Sequence, residues 1–171
     1  MRIHVCSLEK APPLSEEIRP GCAVSLLSPE DAFPTLSAQN HHRVSMHDIS
    51  EVLPDHQPPM HHHVERLVAF LEDWDPSTPL LIHCYAGISR STASAFTAAC
   101  LKNPDTEETH IADHLRSASS TAHPNRRIVQ FADDVLGREG RMVAAIQGIG
   151  RGVVAEVAQP FSIPARFPAR P

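Results

Sequence analysis

The 171-residue chain is 42% hydrophobic and 20% charged, which suits one globular domain around a single core. Its formal charge of −5, with no basic tract, speaks against nucleic acid or an anionic membrane as partner. No apolar run approaches the ~18 residues needed to cross a bilayer. The first residues lack a secretory layout, and Cys6, Cys22, Cys84 and Cys100 show no C-x-x-C spacing, so free thiols in a reducing, cytoplasmic setting are expected rather than disulfides or zinc.

In chain order, "RIHVCS" (2–7) reads as a short strand running into a loop, and "CAVSLLS" (22–28) as a second strand closed by Pro29. Residues 29–42, rich in Pro, Ser, Asn and His, read as loop. The alternation in "RVSMHDI" (43–49) predicts a third strand. Pro58-Pro59 opens a helix whose buried face is Met60, Val64, Leu67, Val68, Leu71 and Trp74. "LLIH" (80–83) is the unbroken apolar run of a central strand covered on both sides. A helix of small residues follows over 91–102 and stops at Asn103-Pro104. Asp105 and Glu108 form a capping-box pattern for a helix over 106–118. Pro124-Asn125 starts another that ends at Gly137, and 141–149 is the last. The expected fold is α/β with three layers, a mostly parallel central sheet flanked by helices. It occupies 1–156, with 157–171 as a Pro-rich, mobile tail.

The chemistry concentrates in "PLLIHCYAGISRST" (79–92). Cys84 sits where a buried strand ends and a helix begins, so backbone N–H groups and the positive helix end converge on one concavity. Such a nest stabilises an anion, whether a thiolate or a phosphate. Gly87 lets the backbone curl, and Arg90 offers a planar fork matching two phosphoryl oxygens. Ser91 can donate a hydrogen bond to the sulfur. The loop can therefore bind a phosphate dianion and present a thiolate to phosphorus, which is nucleophilic catalysis through a phosphocysteine. The amides and Arg90 supply the charge stabilisation without a metal.

"HCYAGISRS" resembles the signature loop of the cysteine-dependent protein tyrosine phosphatases, His-Cys-five residues-Arg-Ser/Thr, and its "AG.SRS" interior is closest to the dual-specificity branch and its small bacterial relatives. The resemblance implies the dual-specificity fold and hydrolysis of phosphotyrosine, with phosphoserine and phosphothreonine, on proteins. It implies no cofactor. Residues 85–89 (Tyr85, Ala86, Gly87, Ile88, Ser89) would bind the substrate with Arg90. It also implies an Asp general acid upstream. Asp48, at the end of the third strand, and Asp55, in "PDHQPP", are the candidates, and the strand-end position favours Asp48. "HPNRR" resembles the family's Pro-Asn, whose amide braces the signature loop. For Asn125 a helix N-cap is the other reading, and Arg126 and Arg127 either add positive potential at the mouth or are simply exposed.

The twelve histidines, with His41-His42 and His61-His62-His63 adjacent, contain no H-E-x-x-H, and no metal is expected. "GIGRG" (148–152) has neither the strand nor the Lys of a phosphate loop and reads as a frayed helix end. Cys6, Cys22 and Cys100 read as buried small hydrophobes. With no lysine between Cys84 and Arg90, phosphoinositides and inositol phosphates are the weaker substrate reading. A non-catalytic phosphoprotein-binding module is the rival from another class. The expected partner is a phosphorylated protein or small phosphate ester, and the expected state a monomer.

Overall fold

The computed structural model describes residues 1–168. Five strands form one sheet in the order β3-β2-β4-β1-β5: β1 is Arg2–Ser7, β2 Cys22–Leu27, β3 Asn40–Ser45, β4 Leu80–Cys84 and β5 Phe161–Pro164. The first four are parallel, and β5 runs antiparallel to β1. Central β4 is buried along its whole length, as its unbroken apolar run requires. The third strand lies earlier than its alternation predicts, at 40–45 rather than 43–49. Met46 still donates to the Leu27 carbonyl (2.8 Å), after which the chain leaves the sheet.

The two faces of the sheet are covered unequally. Helix α1 (Ala11–Ile18) packs Ala11, Leu14 and Ile18 on Cys6, Ala23 and Leu81. The sequence predicts only a loop after the first strand and no helix here. Prolines fall in its first turn, where a missing N–H and a fixed φ cost nothing. The other face carries α2 (His61–Asp73), α3 (Arg90–Lys102), α4 (Glu108–Ala118), α5 (Arg126–Val135) and α6 (Arg141–Gly148). With the sheet between these layers, the architecture is the three-layer α/β arrangement expected. Helix α3 is buried from Arg90 to Cys100. Its small side chains allow that close approach, and its hydroxyls bond back one turn: Ser94 Oγ to the Arg90 carbonyl (2.9 Å) and Thr97 Oγ1 to that of Ala93 (2.9 Å).

Two expectations are corrected. Asp105 and Glu108 form no capping box. The helix begins at Glu108, and the Glu108 carboxylate turns inward to Arg138 Nη1 (3.0 Å) and Arg141 Nε (3.2 Å). A buried carboxylate needs those partners more than the helix end needs a cap. The Pro-rich tail is also more ordered than its composition suggests. β5 pairs Ile163 with Ile3, Ile163 and Ala165 are buried, and Asn103 at the end of α3 donates to the Ala165 carbonyl and accepts from Phe167 N–H (2.8 Å). Residues 169–171 of that tail lie outside the described residues.

Candidate active site

The signature loop sits at the carboxyl end of the parallel strands, where α/β sheets open a crevice. Gly87 makes its turn, with φ at +75°. A Cβ there would stand 2.8 Å from the carbonyl carbon of Cys6, so only glycine lets the loop lie against the end of β1. Four loop carbonyls are held from outside. Tyr85 accepts from Leu8 N–H (3.1 Å), Ala86 from Ala158 (2.9 Å), Ile88 from His123 (2.9 Å) and Ser89 from Asn125 (3.2 Å). The amides of residues 85–89 donate to no acceptor among the described residues. With the carbonyls turned out and braced, the loop keeps a set of uncommitted N–H donors, which is an anion nest in the physical sense.

Cys84 and Arg90 are both buried. Cys84 Sγ lies 3.1 Å from Ser91 Oγ, within reach of a hydroxyl donating to a thiolate. Arg90 Nη1 donates to the Met46 carbonyl (2.7 Å) and to Ser28 Oγ (3.2 Å), which fixes the guanidinium plane, while its buried Nε has no partner. Together these groups can hold a phosphoryl dianion in front of the sulfur.

The two candidate acids are separated by the loop that carries them. His47 N–H donates to the Gln57 carbonyl (2.7 Å), and Gln57 N–H donates back to His47 Nδ1 (2.9 Å), pinching 47–57 into a closed loop. Asp48 lies just inside the pinch. Its Oδ1 accepts from Ser89 Oγ (2.7 Å) and Asn125 Nδ2 (2.9 Å). It borders a cavity of about 440 Å3 shared with Tyr85 and Arg90. Asp55 lies at the exposed tip with φ at +59° and makes no hydrogen bond to the signature loop. Thus Cys84, Arg90, Ser91, Ser89 and Asp48 are brought together, and Asp55 is not. Asn125 fulfils both readings at once. Its Oδ1 caps α5 by accepting from Arg127 and Ile128 N–H, and its amide nitrogen ties Asp48 to the loop. Tyr85 is largely exposed on the rim.

Behind the loop lies a polar row that motif reading missed. In the β ladder Cys6 stands beside His83 and Ser7 beside Cys84, so Cys6 and His83 share the α1 face while Cys84 faces α3. On the α1 face, Ser25 Oγ lies 2.5 Å from His83 Nε2 and 2.7 Å from His41 Nε2, and His83 Nδ1 is 3.3 Å from the Cys84 carbonyl oxygen. Burial lowers both imidazoles to about pKa 4, so they are neutral near pH 7. A carbonyl only accepts, so His83 carries its proton on Nδ1. Its Nε2 accepts from the Ser25 hydroxyl, and Ser25 in turn accepts from His41 Nε2–H. Every proton in the row is assigned. Ser25→Ala should leave a buried acceptor unpaired and cost about 1–3 kcal/mol of stability. The check is denaturant unfolding together with 15N NMR of the His83 ring, where a mixture of tautomers should replace the Nδ1–H form. Unchanged stability and an unchanged tautomer would refute the row.

Cys6 is pushed up to about 12 by burial first and by neighbouring Cys84 second. With its side chain on the opposite face of the sheet, it is poorly placed to pair with Cys84. Cys100 is raised by burial in α3.

The protein-tyrosine phosphatase family's sequence profile matches residues 34–134, more than half of the chain. Among solved structures, human DUSP28 superposes with a TM-score of 0.61 at 18% identity, covering 80% of this chain and 92% of its own. DUSP15 gives 0.59 at 17% identity, with 86% and 89% covered. PTPMT1 in complex with PI(5)P gives 0.58 at 13%, with 80% and 94% covered. No curated protein sequence matches the chain.

Proposed function

Because this chain belongs to the protein-tyrosine phosphatase family, we propose that it hydrolyses phosphate monoesters on proteins, phosphotyrosine together with phosphoserine and phosphothreonine, through a phosphocysteine at Cys84. The observation that carries this reading is the signature loop with uncommitted amides, Arg90 at its end and Asp48 docked on it through Ser89 and Asn125. The substrate phosphate is held by the amides of 85–89 and by Arg90. Cys84 Sγ attacks phosphorus and the P–O bond to the leaving group breaks, while protonated Asp48 delivers its proton to the departing oxygen. Water then attacks the phosphocysteine, Asp48 takes its proton, and the S–P bond breaks as Ser91 donates a hydrogen bond to the departing thiolate. Inorganic phosphate leaves, and the sulfur and carboxyl are restored. The setting proposed is the reducing cytoplasm, in keeping with Cys6, Cys22, Cys84 and Cys100 all being free thiols.

The site favours protein over lipid phosphate. No lysine lies between Cys84 and Arg90 to meet further phosphates of an inositol ring, while Tyr85 offers an exposed aromatic wall at the mouth. The test is phosphate release from an aryl phosphate, phosphotyrosine and phosphothreonine peptides, a phosphoinositide, an inositol phosphate and a nucleotide at matched concentration. Release from the aryl phosphate and phosphopeptides is expected to lead. Release led by the phosphoinositide would overturn the substrate class, and none from any would overturn the enzyme.

A further inference from the structure

Two of the backbone bonds that brace the signature loop also set apolar side chains beside it. Strand β1 ends at Ser7, and the turn into α1 brings Leu8 N–H to the Tyr85 carbonyl (3.1 Å). From the other end of the chain, Ala158 N–H reaches the Ala86 carbonyl (2.9 Å), which carries Val157 to the same loop. There a cavity of about 350 Å3 is bordered by buried Ser7, by Leu8 and Glu9, and by Tyr85 and Val157. The last two are large apolar side chains left exposed to solvent, and they meet at this one space.

Tyr85 also borders the 440 Å3 catalytic cavity with Ala86, Arg90 and Asp48, so the two spaces share a wall. A polypeptide whose phosphate sits in the nest leaves the site in two directions. Where it crosses Tyr85, its next one or two side chains, at about 3.3 Å per residue, reach the far side. What they meet there is mostly apolar. Glu9 is the one charged residue on the border among the described residues, and Lys10 Nζ donates to its Oε1 (3.1 Å), so it offers little to a cation. Acidic neighbours of the phosphoresidue are disfavoured as well, since Glu30 and Asp31 border the catalytic side. A space of this size takes one leucine- or phenylalanine-sized side chain rather than the paired acyl chains of a phospholipid.

Resting on the phosphatase reading above, we propose that this cavity is a side-chain subsite, taking an aliphatic or aromatic residue within two positions of the phosphoresidue in a protein substrate. Leu8 and Val157 then set substrate preference without touching the reacting atoms. The Val157 side chain is exposed, so Val157→Asp alters the wall while leaving the core and the Ala158 backbone bond in place. Val157→Ile is the conservative companion. Wild type and the two variants would be assayed on p-nitrophenyl phosphate and on a phosphotyrosine peptide with alanine at the two positions on either side. The same peptide with a single leucine at each of those positions, and a phosphoinositide with short or long acyl chains, complete the panel.

Wild type is expected to favour leucine at one flanking position by about tenfold in kcat/KM, the worth of burying part of an aliphatic side chain. Val157→Asp should erase that preference through KM, Val157→Ile should keep it, and all three should share one p-nitrophenyl phosphate rate within about twofold. A flat leucine profile in wild type, a preference that survives Val157→Asp, or a Val157 effect seen only with the long-chain phosphoinositide would overturn the proposal. So would a p-nitrophenyl phosphate rate that falls together with the peptide rates, which would make position 157 a brace of the loop and not a wall. Should wild type release no phosphate at all, the phosphatase reading fails separately. Calorimetric binding of the leucine and alanine peptides then decides the subsite, since equal or absent affinity would refute it and a difference removed by Val157→Asp would uphold it.

Discussion

Cys84→Ser is expected to lower phosphate release by about 10⁴-fold or more while phosphopeptide binding stays within a few-fold of wild type. The nest amides, Arg90 with its bonds to Met46 and Ser28, and the Asp48 bridge are untouched by the change. What is lost, on the proposed mechanism, is the sulfur nucleophile. A serine hydroxyl needs a neighbouring base to attack phosphorus near neutral pH, and none is placed to help. Ser91 is itself a hydroxyl. His83 lies on the other face of the sheet, its nitrogens engaged with Ser25 and the Cys84 carbonyl. Steady-state kinetics with calorimetry on the same phosphopeptide separate the two effects. A serine variant retaining a tenth of the activity would end the phosphocysteine mechanism. Lost binding would show that the thiol organises the loop.

Asp48→Asn should cost about 10²–10⁴-fold in kcat on a phosphoserine peptide, the range for removing a general acid. Asparagine keeps a carbonyl oxygen for Ser89 and Asn125, so the docked geometry survives and only the transferable proton is lost. The penalty should shrink on p-nitrophenyl phosphate, whose leaving group departs readily without a proton. Asp55→Asn, at the exposed loop tip, should stay within about twofold on both substrates. A uniform loss across leaving groups would mean that Asp48 holds the loop and donates nothing. A loss confined to Asp55→Asn would require the 47–57 loop to rearrange in turnover.

Much of the site is legible locally because its parts are adjacent in the chain. The apolar run 80–83, Cys84, Gly87, Arg90 and the small-residue helix form one continuous strand-loop-helix unit. Asp48 could be marked as a strand end, although the strand closes four residues earlier than alternation implies, since the Met46 carbonyl is taken by Arg90. The features that escaped depend on distant partners. Ser25 reads as an ordinary strand residue and His41 as part of a loop until β2 and β3 place them beside His83. Glu108 carries a capping pattern, but its partners lie thirty residues on, in Arg138 and Arg141. The glycines around Arg151 resemble a loose helix end because the backbone they fit against, Thr121–Ala122, belongs to another loop. Helix α1 is short and opens on prolines, and β5 is four residues ending in one. Neither is long enough for periodicity to register.

The pairing of β5 with β1 also decides which backbone groups the sheet leaves open at its margin. One margin of the sheet is β3, whose Asn40, His41, His42 and Arg43 make it a poor template for another strand. The other would be β1, an apolar strand carrying Ile3 and Val5, were it not covered by a four-residue strand ending in Pro164, which has no N–H to offer a newcomer. A chain cut back to 156 would lose the Ala158 bond to the Ala86 carbonyl of the signature loop and bare that row of amides and carbonyls. Strand addition between copies, and precipitation with it, is what such an edge invites. The proline-rich segment thus closes an edge that would otherwise accept another strand.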